Sequence, residues 1–436
     1  MIDLGSHTIC VLGLGYIGLP SALVFSLKEY RVIGIDVDEY KVKSINSGTL
    51  HIREPMLEKI LLEVLNSGRF YATTDYSAVG GCDAVLFAVP TPVKNGVADL
   101  SYLVNALENA RRFMRRGQLF VIESTVPPGT TSGLAKSILE GSGLRVEEDF
   151  YLAHVPERIA PGRAVEELLN VPRVVGGVGP RSTERAAELY SKVNPRLYPT
   201  DATTAEFVKL IENTFRDLNI AFANLIALIA ERIGVDVYEA IRLANTHPRV
   251  NIHWPGAGVG GPCLTKDPYM LASLASDLWA VELIRLARRI NEYMPRHMVE
   301  LVERALADNG VNLAEAKITV LGTTYKSGVD DTRESPAKYI IGGLLEKRPK
   351  IVAYDPYTVE TFGAERAGSL EEAVQDADVV VIVTDHPEFK NLDLGKLAKL
   401  VRHRVIVDGR RTVDPYNAYR SGFRYYGVGF GKAFKV

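Results

Sequence analysis

"TICVLGLGYIG" (Thr8–Gly18) decides the fold. Its first part, Thr8–Gly15, is a short apolar run ending in glycines, as a buried parallel strand reads. Its second part, "GLGYIG" (Gly13–Gly18), has the spacing G-x-G-x-x-G and opens a helix. Gly13 allows the tight turn, Gly15 lets the backbone approach a pyrophosphate, and Gly18 allows close helix–strand packing. Amides at the helix N-terminus then face phosphates. Asp36 ends the next strand, 18 residues after Gly18. A carboxylate there binds both ribose hydroxyls and repels a 2′-phosphate, which predicts NAD rather than NADP. The competing reading is an ordinary glycine-rich turn.

Outward from this stretch, "RVIGIDV" (Arg31–Val37), "CDAVLFAVP" (Cys82–Pro90) and "QLFVIEST" (Gln118–Thr125) read as further buried strands with helix-like segments between them. Strand–helix alternation with apolar strands means a doubly wound α/β sheet. From Asp201 the texture changes. The segment Asp201–Gly234 has no Pro and no internal Gly, and reads as one long helix. A second helical block runs from about Pro268 to Asn309. The first pattern then returns: "KITVLGTTY" (Lys317–Tyr325), "KIVAYDP" (Lys350–Pro356), "ADVVVIVTDHP" (Ala377–Pro387) and "RVIVDGRR" (Arg404–Arg411). The fold expected is α/β, with two Rossmann-like doubly wound domains joined by a central helical domain. The expected bounds are 1–200, 201–310 and 311–436.

The 436 residues suit two or three domains. Lys plus Arg (51) nearly cancels Asp plus Glu (53), so no global field draws the chain to nucleic acid or an anionic membrane. No uncharged apolar run reaches about 18 residues, so no membrane span is expected. Met1–Ser6 is short and polar, unlike a signal peptide. The three cysteines read as unpaired and point to a reducing cytoplasm. Only two glutamines, Gln118 and Gln375, fit a thermophilic source.

Other stretches carry candidate chemistry. In the second Rossmann-like repeat, "GTTYKSGVDDTRES" (Gly322–Ser335) lacks the three glycines, so a dinucleotide should not bind there in the same way. Lys326 and Arg333 are placed near a predicted helix N-terminus, which suits phosphate. Lys209, Asn213 and Arg216 share one face of the long helix among the apolar Phe207, Leu210, Ile211 and Phe215, as a polar-substrate site or a solvent-facing stripe. Cys10 and Cys82 lie in predicted strands and read as core. Cys263 lies in "PGAGVGGPCLTKDP" (Pro255–Pro268), a loop of small residues with Lys266 and Asp267 close by. An accessible, stabilised thiolate is what a nucleophile needs. His247 has no Cys or carboxylate at metal-ligand spacing, so no metal site is expected.

In order along the chain stand "GLGYIG", "STVPPGTT" (Ser124–Thr131), "PERIAPGRA" (Pro156–Ala164), "KLIENTFRDLNIAFAN" (Lys209–Asn224), "HPRVN" (His247–Asn251), "PGAGVGGPC" (Pro255–Cys263) and "DTRESPA" (Asp331–Ala337). On these motifs the whole chain resembles the nucleotide-sugar 6-dehydrogenases, which oxidise a UDP-sugar alcohol to the uronic acid with two NAD. "PERIAPG", "FRDLNIAFAN" and "HPRVNIHWPGAGVGG" look most like the UDP-N-acetylmannosamine branch. Pro262 departs from the expected His, and Lys266 in "TKDP" is more typical of the UDP-glucose branch. UDP-N-acetylglucosamine and UDP-glucose are therefore the alternative substrates.

The resemblance implies a role for each matching residue. Cys263 is the nucleophile, forming a thiohemiacetal and then a thioester. Lys209 and Asn213 serve oxyanion stabilisation or proton relay, and Asp267 orients the water. Glu157 assists hydrolysis, and Thr125 lies close to the reacting centre. Tyr16, Ile17, Asp36, Thr91 and Thr125 match NAD contacts beside Gly13, Gly15 and Gly18, and Arg333 matches a pyrophosphate contact. Arg158, Ile159, Lys209, Asn213, Arg216, His247, Arg249, Gly258, Tyr325, Lys326 and Arg410 match positions that hold the UDP-sugar. A cytoplasmic homodimer paired through the central helices, with Arg249 reaching across, and a part in polysaccharide biosynthesis are also implied. Two other readings compete: a two-electron hydroxyacid dehydrogenase of the 6-phosphogluconate type, which needs neither the cysteine nor the third domain, and a non-catalytic UDP-sugar or NAD sensor.

Overall fold

The computed structural model describes residues 7–94 and 96–432. The Met1–Ser6 stretch, and the reading of it as no signal peptide, lies outside the described residues. The backbone divides into two compact units, Met1–Glu212 and Asn213–Val436.

The first unit holds strands β1 (Thr8–Leu12), β2 (Arg31–Ile35), β3 (Phe70–Thr73), β4 (Ala84–Phe87), β5 (Leu119–Ile122), β6 (Tyr151–His154), β7 (Arg173–Gly177) and β8 (Leu197–Asp201). They lie in the order β8-β7-β6-β5-β4-β1-β2-β3. The part from β3 to β6 has the doubly wound order 3-2-1-4-5-6. Both faces are covered. Ile9 and Val11 of β1 enter one apolar cluster, while Cys10 and Leu12 enter the other. Two buried faces are why these strands read as continuous apolar runs rather than alternating ones. The sheet is not wholly parallel: β6 and β7 run antiparallel, with Ala153 opposite Gly177.

Cys10 and Cys82 are core residues as expected, but the reading of the cysteines as unpaired fails, and with it their pointer to a reducing cytoplasm. Cys10 and Cys82 are joined in a disulfide, with Cα atoms 5.8 Å apart. Cys82 precedes β4 rather than lying in it. The two are 72 residues apart in sequence, and only the pairing of β1 with β4 brings them together.

The second unit contains β9 (Lys317–Leu321), β10 (Lys350–Tyr354), β11 (Glu365–Arg366), β12 (Val379–Ile382), β13 (Val405–Asp408) and β14 (Arg424–Gly427). Their order, β11-β10-β9-β12-β13-β14, is again 3-2-1-4-5-6, here all parallel. Ile318 and Val320 pack on one face and Leu321 on the other.

Helix α1 is Gly18–Leu27, and α2, Ala202–Ile233, is a single 32-residue helix carrying the boundary between the units. The second helical block is interrupted. It comprises α3 (Asp267–Ser273), a 3₁₀ turn (Trp279–Val281) and α4 (Glu282–Asp308). Helix α5, Pro336–Leu345, follows β9. Among the described residues no helix is long and apolar enough to cross a membrane, and no group of three or more His, Cys, Asp or Glu is placed to hold a metal.

Candidate active site

The three glycines after β1 have three different jobs. Gly13 has φ +91°, and a Cβ there would stand 2.6 Å from Ala88 O. A Cβ on Gly18 would stand 1.8 Å from Gly13 O, so helix and turn meet backbone to backbone. A Cβ on Gly15 would meet nothing within 4 Å. No neighbouring protein atom requires a glycine there, and the space it keeps open leaves room for a ligand to approach the backbone. Tyr16 and Ile17, half-buried, complete the turn. No side chain caps α1, and its first turn carries no acid, so its N-terminal field is left for an anion.

Asp36 is 7% exposed. Its Oδ2 accepts from Leu14 N–H (2.8 Å) and Lys41 Nζ (2.8 Å), and its Oδ1 from Asp38 N–H (3.1 Å). Burial raises its pKa, but Lys41 and the two amides outweigh it and hold the carboxyl below the usual range. Lys41 was not singled out in the sequence, although it lies only five residues after Asp36. Thr91 Oγ1 donates to Thr125 O (2.7 Å), so two expected cofactor contacts at the ends of β4 and β5 are joined directly. An open glycine cradle, an uncapped helix and an ionised acid after β2 fit NAD.

Past β6, the "PERIAPGRA" loop spends its amides on carboxylates. Glu157 Oε1 accepts from Arg158 N–H (2.7 Å) and Ile159 N–H (3.1 Å). Glu167 takes Ala160 N–H, and Glu54 takes Gly162 and Ala164 N–H. Nothing in the sequence pattern flagged Glu54, 108 residues before Gly162. Glu157 itself is buried and paired with Arg173 (2.9 Å). Arg158 reaches Glu212 (2.5 Å) and Pro172 O (2.6 Å). Behind them Glu123 accepts from Tyr190 (2.6 Å). Burial and the Glu157 charge, against Arg173, hold Glu123 well above the usual carboxylate range. Burial and the neighbouring Lys209 push His154 down to about 3, so it is neutral.

On α2, Lys209 and Asn213 are one turn apart and both buried, whereas Arg216 is exposed. Phe207, Ile211 and Phe215 point out instead. The polar side chains are therefore taken into the protein and the apolar stripe faces outward.

In the second unit the Cys263 loop runs into α3. Lys266 and Asp267 N–H both donate to Cys263 O (3.1 and 2.9 Å), which makes the turn that starts the helix. Cys263, the one cysteine outside the disulfide, is exposed. Asp267 is fully buried: Asn213 Nδ2 donates to its Oδ2 (2.6 Å) and Lys266 Nζ to its Oδ1 (2.7 Å). The glycines before the cysteine make room for protein atoms. A Cβ on Gly261 would stand 2.7 Å from the Tyr325 ring, one on Gly260 2.8 Å from Tyr325 Cβ, and one on Gly256 2.7 Å from Arg410. Gly258 has φ +133°, and Arg410 Nη2 donates to its carbonyl (3.0 Å). Tyr325 and Arg410 are thereby brought to the cysteine loop. Burial, then the charges of Asp331 and Cys263, drive the Tyr325 hydroxyl pKa up.

The remaining candidates are placed more loosely. His247 and Arg249 are exposed, with Arg249 N–H donating to His247 Nδ1 (3.3 Å). Arg333 forms a two-pronged pair with Asp331 (2.6 and 2.9 Å). Arg333 lies two residues before a helix N-cap, as expected, whereas Lys326 lies nine residues before it. Helix α5 begins only at Pro336, and Ser335 caps it.

Three family models cover most of the chain. The NAD binding, central and UDP binding domains of the UDP-glucose/GDP-mannose dehydrogenase family match residues 7–194, 203–293 and 319–415. The UDP-N-acetyl-D-mannosamine dehydrogenase of Pyrococcus horikoshii is 47% identical over 97% of this chain and 99% of its own length. A solved structure of UDP-D-ManNAc dehydrogenase from Pyrococcus horikoshii covers 98% of this chain and 100% of that one, with TM-score 0.91 and 46% identity. A UDP-glucose dehydrogenase from Pyrobaculum islandicum covers 99% of both, with TM-score 0.88 and 31% identity. The open cradle over Gly15 in one unit and the exposed thiol of Cys263 in the other belong to one lineage: the chain is a member of the UDP-glucose/GDP-mannose dehydrogenase family.

Proposed function

We propose that the chain oxidises the C6 alcohol of UDP-N-acetylmannosamine to the carboxylate, consuming two NAD and one water per sugar and releasing two NADH and three protons. The observation that carries this reading is the exposed Cys263 thiol directly ahead of a buried, doubly bonded Asp267. NAD, when bound, accepts the two hydrides that leave C6. After the first oxidation the Cys263 thiolate adds to the aldehyde carbon, which holds the reactive intermediate. The second oxidation leaves a thioester, and water displaces the sulfur. Lys209 and Asn213 stabilise the charge on the C6 oxygen, and Asp267, fixed by Asn213 and Lys266, orients water. Thr125 is assigned beside the reacting carbon. Glu157 keeps its assigned part in hydrolysis; its own bonds also make it the anchor of the loop carrying Arg158 and Ile159. Arg158, Ile159, Arg216, His247, Arg249, Gly258, Tyr325, Lys326 and Arg410 are assigned to the UDP-sugar, and Arg333 to the cofactor pyrophosphate. The domain bounds 1–200, 201–310 and 311–436 belong to the same proposal.

Two copies are proposed to pair through α2. Its exposed Phe207, Ile211, Phe215, Phe222, Leu225, Ile229 and Ile233 repeat every three, four or seven residues along one face, an apolar patch of the kind that marks an interface. A cytoplasmic setting and a part in polysaccharide biosynthesis belong to the same proposal; use of NAD supports the first, and a uronate sugar nucleotide suits the second as a glycosyl donor.

The sugar is tested by kcat/KM for UDP-N-acetylmannosamine, UDP-N-acetylglucosamine and UDP-glucose under one condition. An acetamido group at C2 adds a carbonyl that accepts a hydrogen bond, and a hydrogen-bonding group left unpaired on burial costs about 1–3 kcal/mol, roughly 5- to 150-fold. UDP-N-acetylmannosamine is expected to lead. UDP-glucose in first place would overturn the assignment and make Lys266 the better guide.

A further inference from the structure

The segment Thr323–Gly328, which carries Tyr325 and Lys326, is held from beneath by a closed set of buried groups. Asp355 Oδ2 accepts from Thr323 N–H (2.7 Å) and Thr324 N–H (3.2 Å), and its Oδ1 from Tyr357 N–H (2.8 Å). His386 Nε2 lies 3.0 Å from the same Oδ2 and 3.1 Å from Thr324 Oγ1. His386 Nδ1 lies 3.1 Å from Gly328 N, whose hydrogen can only be donated. Nδ1 must therefore be the unprotonated nitrogen, and Nε2 carries the hydrogen that is given to Asp355. Thr324 Oγ1 donates to Lys326 O (3.0 Å), Thr384 Oγ1 to Thr324 O (2.6 Å) and Ser327 Oγ to Asp385 O (2.6 Å). The Tyr357 ring stacks on the imidazole at 4.6 Å, and Phe389 meets it edge-on at 5.5 Å. The His386 and Asp355 side chains are 0% and 1% exposed.

The direction of these bonds gives the cluster its meaning. His386 and Asp355 Oδ2 bond this one segment and each other: His386 joins its far end, at Gly328, to Asp355, which holds its near end, at Thr323 and Thr324, while Asp355 Oδ1 takes Tyr357 N–H. A buried polar pair costs stability unless its partners are all present. We infer that His386 and Asp355 are the positioning pair of the nucleotide end of the substrate, fixing Thr323–Gly328 in the shape that presents Tyr325 and Lys326 to UDP. Neither residue touches the nucleotide; they act through the segment. The inference rests on the proposed assignment of Tyr325 and Lys326 to the UDP-sugar.

The test uses the full chain, with UDP and NAD titrated separately by calorimetry, and kcat and KM measured with UDP-N-acetylmannosamine. His386→Ala is expected to weaken UDP and raise the sugar-nucleotide KM by about tenfold or more, ~1.4 kcal/mol for each factor of ten, with NAD affinity within about twofold of wild type. His386→Gln should recover most of the loss, because its amide accepts from Gly328 and donates to Asp355. Wild-type UDP affinity in His386→Ala would overturn the inference. So would a parallel loss of UDP and NAD affinity and thermal stability in both variants, which would mark a general structural residue. Where His386→Ala does not fold, Asp355→Asn decides: UDP weakened with NAD unchanged supports the pair, and unchanged UDP overturns it. Lys326→Ala separates the two levels. If it leaves UDP affinity unchanged, the assignment of the segment to UDP has failed. If it weakens UDP while His386→Ala does not, only the positioning role has failed.

Discussion

The two Rossmann-like sheets start alike and then part. Gly13 and Gly322 have φ of +91° and +88°. Their N–H groups donate to Ile35 O (2.8 Å) and Tyr354 O (2.9 Å). The next amide, Leu14 or Thr323, donates to the acid after the second strand, Asp36 or Asp355. Two residues beyond the glycine they diverge. Gly15 leaves open space, whereas Thr324 is fully buried and bonded. Helix α1 starts five residues after Gly13; α5 starts fourteen after Gly322. Asp36 meets a lysine, while Asp355 is closed by His386. One backbone frame thus offers a dinucleotide cradle when its loop is short and bare. When the loop is long and internally bonded, it offers side chains instead.

The largest expected effect is that of Cys263→Ser, which removes the chemistry from one unit and should leave the other unit's cofactor site intact. Turnover should fall roughly a thousandfold or more, because serine is a weak nucleophile without an activating base. NAD affinity should stay at the wild-type value. Uronate formation near the wild-type rate would break the thioester route.

Gly15→Val puts bulk into the cradle, where its Cβ meets no protein atom within 4 Å. NAD should weaken by about 30-fold, with UDP affinity and melting temperature unchanged. Gly18→Ala should do the reverse and cost about 2 kcal/mol of stability, since its Cβ has no room beside Gly13 O. Titration and thermal melts of both variants check the pair. Unchanged NAD binding in Gly15→Val would mean that the cofactor sits elsewhere.

Asp36 sets the cofactor type. Like-charge contact with a 2′-phosphate at a buried acid should cost about 2 kcal/mol, roughly 30-fold in favour of NAD by kcat/KM. Asp36→Ala should bring the ratio toward one, since Lys41 then faces the phosphate alone. Equal use of NAD and NADP by the wild type would contradict this.

The smallest effect on activity is expected from the disulfide, which only the first sheet carries. Closing a loop of this length contributes about 4 kcal/mol in the chain-entropy account, so Cys10→Ala with Cys82→Ala should melt about 10 °C lower. Its kcat and KM should be those of the wild type. An unchanged melting temperature would show that the bond does not constrain the unfolded chain.

What the sequence made legible was local. The glycine spacing, Asp36 and the exposed cysteine each lie within a stretch of fewer than about twenty residues, where periodicity and turn chemistry act directly. What stayed hidden depends on strand neighbours. Cys10 meets Cys82 because β1 lies beside β4, and Glu54 reaches the "PERIAPGRA" amides from far upstream. His386 stood inside the quoted "ADVVVIVTDHP", but its hydrogen-bond partners come from two other segments, so the strand pattern carried no sign of its role. The small residues around Cys263 keep its thiol accessible. They are also room for Tyr325 and Arg410, because small residues admit protein atoms as readily as ligand atoms.

Among the described residues one sheet alone carries the open glycine turn, so the proposed route takes both hydrides through one cofactor site, one NAD after another. The direct test is an end-point count of NADH formed from a limiting amount of UDP-N-acetylmannosamine with NAD in excess. The account predicts two NADH per sugar, with uronate as the product. One NADH per sugar, with the aldehyde or another two-electron product, would contradict it.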